Sequence, residues 1–141
     1  MAASLELFTT LFVAVDPPIE TGDLPSGFRR VIPITGGTLH GPGLTGEVLS
    51  GGADWNTQLP SGVSHLWARY TVRTDDGVLL GIINDGYGSW QADGRFLAHT
   101  HPRIEAPAGP YEALNTATLV GTVVATDGTG VHITWYRVIG E

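Results

Sequence analysis

Lysine and cysteine are both missing from this chain, and charge of either sign is scarce. Without cysteine there is no thiol nucleophile, no disulfide staple and no thiolate metal site, and the redox compartment is left undetermined. Without lysine there is neither a Schiff-base amine nor the phosphate-gripping lysine of a P-loop. Charged residues make up 15% of the chain, against roughly 25% in ordinary soluble domains. The acids outnumber the arginines fourteen to seven, for a net charge of -7. That balance repels nucleic-acid backbones and anionic membrane surfaces. No window approaches the ~18 uninterrupted apolar residues of a membrane span. The opening MAASLELFTTLFVAV has no basic leader and is interrupted by Glu6, so it reads as a strand and not as a signal peptide. The expectation is a cytoplasmic protein that engages neither nucleic acid nor membrane.

Helical periodicity is almost absent as well. No segment keeps apolar residues at i, i+3, i+4 and i+7 for three turns, and EALN at 112–115 supports at most one short helical turn. Short apolar runs rich in Val, Ile, Thr, Leu and aromatics are present instead, separated by 20 glycines and 9 prolines. They fall at 5–15, 28–35, 38–49, 63–73, 78–84, 95–101, 117–126 and 131–139. These are eight candidate strands. TDDG at 74–77, TDGTG at 126–130 and the Gly-rich junction around Thr35 to Thr38 have the composition of tight turns, because Asp-Gly supplies the positive φ that such turns demand.

A chain of 141 residues is long enough for a single domain, residues 1–141, with one core. Eight mostly antiparallel strands are best satisfied by closing the sheet, since closure removes exposed edges. The predicted fold is therefore all-β, an eight-stranded antiparallel barrel of the lipocalin-like kind. A barrel of this size is either filled by its own side chains or holds one small ligand. On 63–73 the alternation places Leu66, Ala68, Tyr70 and Val72 inside and His65, Trp67, Arg69 and Arg73 outside. On 117–126 the inner set is Leu119, Gly121, Val123 and Ala125, two of them too small to fill the interior. An apolar small molecule is the expected ligand, and Trp67 beside arginines on the outer wall offers a contact for a homodimer.

Several motifs bear on chemistry. GPGLTG at 41–46 matches G-x-G-x-x-G by letter, but EVLSGG follows where the dinucleotide fingerprint needs a helix; the glycines read as bends in a barrel strand. No G-x-S-x-G elbow exists, and most of the six serines sit in turns. His99 and His101 of HTH alternate onto one face of a strand. They read as a hydrogen-bonding pair or as polar ligand contacts; a metal would need a third histidine brought close by the fold, and no metal is assigned. In GGADW, Asp54 next to Trp55 has two readings. A carboxylate desolvated by a large ring has a raised pKa and suits proton transfer; alternatively Asp54 caps a turn while Trp55 plugs a barrel end.

The blocks PITGGTLHGPGLTGEVLSGGADW, LWARYTVRTDDGVLLGIINDG, HPRIEAPAGPYEALN and VHITWYRV, in this order, resemble a bacterial and fungal family known as domain of unknown function 3237. The likeness spans about residues 5 to 139. It implies a barrel similar to those of allene oxide cyclase and dirigent proteins, open to ligands at one end, and chemistry without a cofactor. It also implies that Asp54, Trp55, Arg69, Tyr70, Asn84, Tyr111 and Asn115 occupy the family's recurrent polar and aromatic positions. This chain departs from the family's usual pattern at Trp67, Ala113, His99 and His101, and its connection from Asn84 to Arg95 is shorter.

Together these readings lead to an expected cofactor-independent cyclase or isomerase of a largely apolar natural-product intermediate. Asp54 is expected to shuttle a proton and Asn115 and Tyr70 to hydrogen-bond a carbonyl or enolate oxygen. Trp55, Tyr111 and Trp135 are expected to shape the cavity, with Arg69, Asn84, His99 and His101 as further ligand contacts. The rival reading is a carrier or sensor barrel that performs no reaction.

Overall fold

A computed structural model describes residues 2–126 and 128–140. Ten strands run in chain order: β1 (Ala3–Val15), β2 (Ile19–Leu24), β3 (Gly27–His40), β4 (Gly46–Val48), β5 (Gly52–Gln58), β6 (Ser64–Thr74), β7 (Leu79–Trp90), β8 (Phe96–Glu105), β9 (Leu119–Ala125) and β10 (Gly130–Gly140). Every pairing is antiparallel. The ladder passes from β1 through β10, β9, β8, β7 and β6, then over β4 and β5 to β3, and β3 closes the ring on β1. One 3₁₀ turn, Glu112–Thr116, is the only helical element among the described residues, so none of their helices is long and apolar enough to cross a membrane.

The ten strands fill eight positions because two positions are interrupted. β1 and then β2 lie along the same edge of β3, with Val15 opposite Ile34 and Ile19 opposite Val31. β4 and β5 likewise share the position between β3 and β6. The break between β4 and β5 is the Gly51–Gly52 pair: Gly51 has φ +114, and a Cβ on Gly52 would stand 2.5 Å from the carbonyl oxygen of Arg69. These glycines bend one barrel strand midway along the wall.

One expected turn forms where the sequence places it and another does not. The TDDG turn joins β6 to β7, with the Gly77 N–H donating to the Thr74 carbonyl at 2.9 Å. No turn forms at Thr35 to Thr38: β3 runs straight through it, and Gly37, at φ +146, passes so close to β1 that a Cβ would meet the Phe12 carbonyl oxygen. The chain turns instead at 41–45, inside GPGLTG, which therefore links two strands and does not bend one. The TDGTG segment includes Asp127, outside the described residues, and the strands on either side of it pair antiparallel.

The interior is filled at one end only. Leu39, Val72, Leu80, Ile82 and Trp135 are fully buried there and pack with Phe8, Leu11, Leu44, Ile104, Leu114 and Leu119. Each such side chain contributes about 1.5–3 kcal/mol by leaving water. The 3₁₀ turn lies at this same filled end, in the β8–β9 connection. The other end is hollow.

Candidate functional site

The inner residues of β6 set the site. Leu66, Ala68, Tyr70 and Val72 face inward by alternation, as expected from the sequence, and Ser64 joins them on the same face. Ala68 is paired with Asp54 on β5 and with Asn84 on β7. Directly opposed residues project to the same side of a sheet, so Asp54 and Asn84 face the lumen across one small methyl group. A cavity of about 220 Å³ occupies the space, lined by Val13, Ile32, Ile34, Leu66, Phe96 and Val123 among others, with Arg30, Asp54, Asn56, Ser64, Tyr70 and Asn84 as its main polar wall. Asp16, Pro18, Trp90, Gly128 and Gly130 mark its mouth at the hollow end.

Asp54 is held from two sides. Its Oδ1 accepts the backbone N–H of Trp67 at 2.9 Å and its Oδ2 accepts Asn56 Nδ2–H at 3.4 Å. Asn56 Oδ1 in turn accepts from Arg30 Nη2 at 3.3 Å. Desolvation pushes the Asp54 carboxyl above its ordinary range, and it outweighs the opposing pull of the two hydrogen bonds and of the charges of His65 and Arg30. Tyr70 is also held up, by burial alone, so its hydroxyl stays protonated at any physiological pH. That hydroxyl, the Oδ1 of Asn84 (3% exposed) and the Nε of Arg30 are buried without a hydrogen-bond partner. Unpaired buried polar atoms are rare in folded proteins, and here three belong to the wall of one cavity.

Asp54, Tyr70 and Asn84 thus line one cavity, and the other sequence-derived site residues do not. Trp55 follows Asp54 on the same strand and must point the opposite way; it is 38% exposed on the outer wall and meets Trp67 edge-on, with ring centroids 5.8 Å apart. Arg69 alternates with Ala68 and Tyr70 and pairs outside with Glu105 at 3.0 Å. His99 and His101 share a face, but it is the outer one, since Ala98, Thr100 and Pro102 take the inner positions of β8. There they oppose Tyr87 and Asp85, beside a 2.7 Å contact between His65 Nε2 and Asp85 Oδ1. No three metal-ligating side chains gather among the described residues.

Asn115 and Tyr111 sit at the filled end, away from Asp54. The Asn115 carboxamide is spent on the backbone: Oδ1 accepts the Ala106 N–H, and Nδ2 donates to the carbonyls of Ala106 and Glu112, each at 2.9 Å. The Tyr111 hydroxyl donates to Asp76 Oδ1 at 2.8 Å. Ala113, one of the departures from the family's pattern, lines a cleft beside them with Leu7, Phe8, Pro42 and Arg137 and not the cavity of the hollow end. Trp135 is fully buried in the core and does not line the cavity. Gly121 makes room for it, since a Cβ there would be 3.0 Å from its Cδ1.

Arg30, Asn56 and Ser64 do not stand out in the sequence as site residues. Their signal is parity. Arg30 alternates with the inward Ile32 and Ile34, Asn56 with Asp54, and Ser64 with Leu66.

The fold and site together define a closed antiparallel barrel, packed at one end and hollow at the other, with its polar groups gathered on one side of the hollow. The chain belongs to the family described as protein of unknown function (DUF3237), which it matches over residues 3–138. A UPF0311 protein of Clostridium acetobutylicum is 42% identical over 82 residues, which is 57% of this chain and 51% of that protein. One of Rhodopseudomonas palustris is 36% identical over 77 residues, 55% and 50% of the two chains. The chain thus spans about half the length of the curated relatives it matches.

Solved structures match over nearly the whole fold. A β-barrel-like protein of Acinetobacter baumannii superposes with a TM-score of 0.90 at 28% identity, over 99% of this chain and 98% of that one. A protein of unknown function from Clostridium acetobutylicum gives 0.89 at 27%, over 98% and 100%. An enzyme from Penicillium herquei gives 0.73 at 16%, over 99% and 96%, a likeness of fold alone.

Proposed function

We propose that the protein is a cofactor-independent isomerase or cyclase that moves a proton on a small, largely apolar molecule bound in the hollow half of the barrel. The observation that carries this reading is the Asp54 carboxyl, held in an apolar cavity and facing Asn84 across Ala68. A carboxyl whose pKa is raised toward the working pH serves as either acid or base. It takes a proton from carbon beside a carbonyl and returns it elsewhere on the same molecule. The Tyr70 hydroxyl donates to the carbonyl oxygen as it gains charge, and the Arg30–Asn56 chain keeps the carboxyl in place. One positioned acid or base gives about 10²–10⁴-fold, and holding a flexible substrate in its reactive fold adds several kcal/mol, with ~7–11 as an upper range. A barrel of similar fold serves as an enzyme in Penicillium herquei, which is compatible with this reading and assigns no residue.

Size narrows the substrate. A dry protein cavity of ~150 Å³ takes benzene, so about 220 Å³ suits one substituted ring, with any longer part reaching out through the mouth.

The natural substrate is not required for the test. Small cyclic ketones and 1,3-diketones are incubated with the protein in deuterated buffer, and label entering the carbon beside the carbonyl is followed by NMR. The protein is expected to accelerate exchange, and Asp54→Asn to lower that rate by about 10²-fold or more while affinity stays within about threefold. A carrier would show no acceleration, with Asp54→Asn altering affinity alone.

A further inference from the structure

We propose that the ligand of the hollow is a ring compound bearing a carboxylate, and that Arg30 is the residue that selects it. This deepens the reading of the lumen as a ligand site, and it rests on a different side chain from the proton transfer.

Arg30 is unlike the other arginines whose contacts are resolved. Arg69, Arg73 and Arg95 each meet a carboxylate on the outer surface, at 3.0, 3.0 and 2.9 Å. Arg29, the neighbour of Arg30 in sequence, points the other way and uses its Nε on Thr57 Oγ1 at 3.0 Å. Arg30 lines the cavity, donates through Nη2 to Asn56, and enters no ion pair among the described residues. Its Nε is buried and has no acceptor. A guanidinium stays charged at any accessible pH, and a partly desolvated charge with an idle donor is costly unless something pairs with it.

The protein's own groups do not provide that partner. Asp16 and Asp54 are the carboxylates lining the cavity. Asp16 is exposed at the rim, where solvent and salt screen it. Asp54 has both oxygens engaged, by the Trp67 N–H and by Asn56, and its burial favours the neutral form. No carboxylate oxygen among the described residues stands within ion-pair distance of Arg30, and its Nε is left for an acceptor from outside the protein. A carboxylate matches the planar fork of a guanidinium better than any neutral oxygen does.

The register also orients the guest. Arg30 is opposite Asn56, two residues nearer the mouth than the Ile32–Asp54 pair. Tyr70 lies two residues deeper than Ala68 on β6. A carboxylate on Arg30 thus sits toward the open end, with the ring against Ile32, Leu66 and Ala68 and a second oxygen within reach of Tyr70 and Asn84. The reacting carbon then lies between the two anchors, beside Asp54.

The test is a binding comparison that needs no turnover. Benzoate, 2-hydroxybenzoate and phenylacetate are titrated by calorimetry against their matched carboxamides, with the intact protein and with Arg30→Gln, Arg30→Lys and, as a control on the outer wall, Arg73→Gln. The intact protein is expected to bind at least one acid about tenfold or more tightly than its amide. Arg30→Gln should bring that ratio within about twofold of unity, Arg30→Lys should keep part of it, and Arg73→Gln, on the outer wall, should keep all of it. If Arg30→Gln does not fold, Arg30→Lys decides, and an unchanged ratio overturns the proposal. So do equal acid and amide affinities in the intact protein, a preference that survives Arg30→Gln, or no saturable binding of any acid. Failure of the deuterium exchange leaves this assignment standing, and equal binding of acid and amide leaves the role of Asp54 standing.

Discussion

Asp54 is half-buried in the wall of the cavity; desolvating its carboxyl costs stability, and the cost depends on pH. The folded protein binds this proton more tightly than the unfolded chain, since desolvation raises the folded pKa above the ordinary 3.8. The group costs nothing below that ordinary value. Its penalty grows as pH rises through the folded pKa and is complete above it. Asparagine mimics the protonated form, and its Oδ1 keeps the acceptor for the Trp67 N–H. Asp54→Asn is therefore expected to raise the melting temperature by a few degrees at pH 7, with the gain shrinking toward zero as pH falls to about 4. A melting temperature that drops at every pH would mean that the ionised form is what the fold holds. The sequence exposes this site only in part. Asp54 is legible because an acid in an apolar, Gly-rich context is unusual, but its partners Arg30 and Asn56 lie 24 and 2 positions away on β3 and β5 and meet only through the sheet register. Trp55 misleads for a physical reason: adjacency in sequence suggests adjacency in space, whereas neighbouring residues on a strand face opposite sides.

The interrupted strands carry most of what distinguishes this barrel. β5 contains Gly, Asp, Asn and Gln, a composition poor for strands, and it is held by its neighbours β3 and β6 and not by its own propensity. That is why GGADWNTQ resembles a hinge. The sequence suggests an end to β7 at Asn84 because Asp-Gly and Gly-Ser follow, yet the strand continues to Trp90. Gly86 is required there by contact, since a Cβ would stand 2.1 Å from the His99 carbonyl oxygen. The 3₁₀ turn shows the opposite case, a short element read correctly and assigned the wrong task. Asn115 pins it to the end of β8 with three hydrogen bonds. Asn115→Ala is expected to lower stability by about 1–2 kcal/mol, measured by urea unfolding, and to leave ligand affinity in the lumen unchanged. An Asn115→Ala protein of normal stability that has lost ligand binding would return this residue to the site.

At the scale of the whole molecule, the division into a packed end and a hollow end follows from residue sizes along the inner faces. Toward the packed end the lumen holds Leu39, Leu80, Ile82 and Trp135; toward the mouth it holds Val13, Ala68, Val123 and Ala125. Alternation on β6 and β9 makes the hollow legible from sequence in part: Ala68 and Ala125 fall on inward positions and line it, whereas the space left by Gly121 is taken by Trp135. Which end is open is not legible, since that depends on how the eight positions tilt and close. The placement of Tyr111 and Asn115 far from Asp54 is a consequence of that closure. The central claim is that the hollow keeps one carboxyl away from water. The most direct test is an NMR titration of ¹³C-labelled aspartate carboxyls, with Asp54→Asn identifying the Asp54 resonance. The Asp54 midpoint is expected clearly above 3.8, while that of Asp76, which accepts hydrogen bonds from Thr74 and Tyr111, is expected below it. A midpoint for Asp54 at or below the ordinary carboxylate value would contradict it.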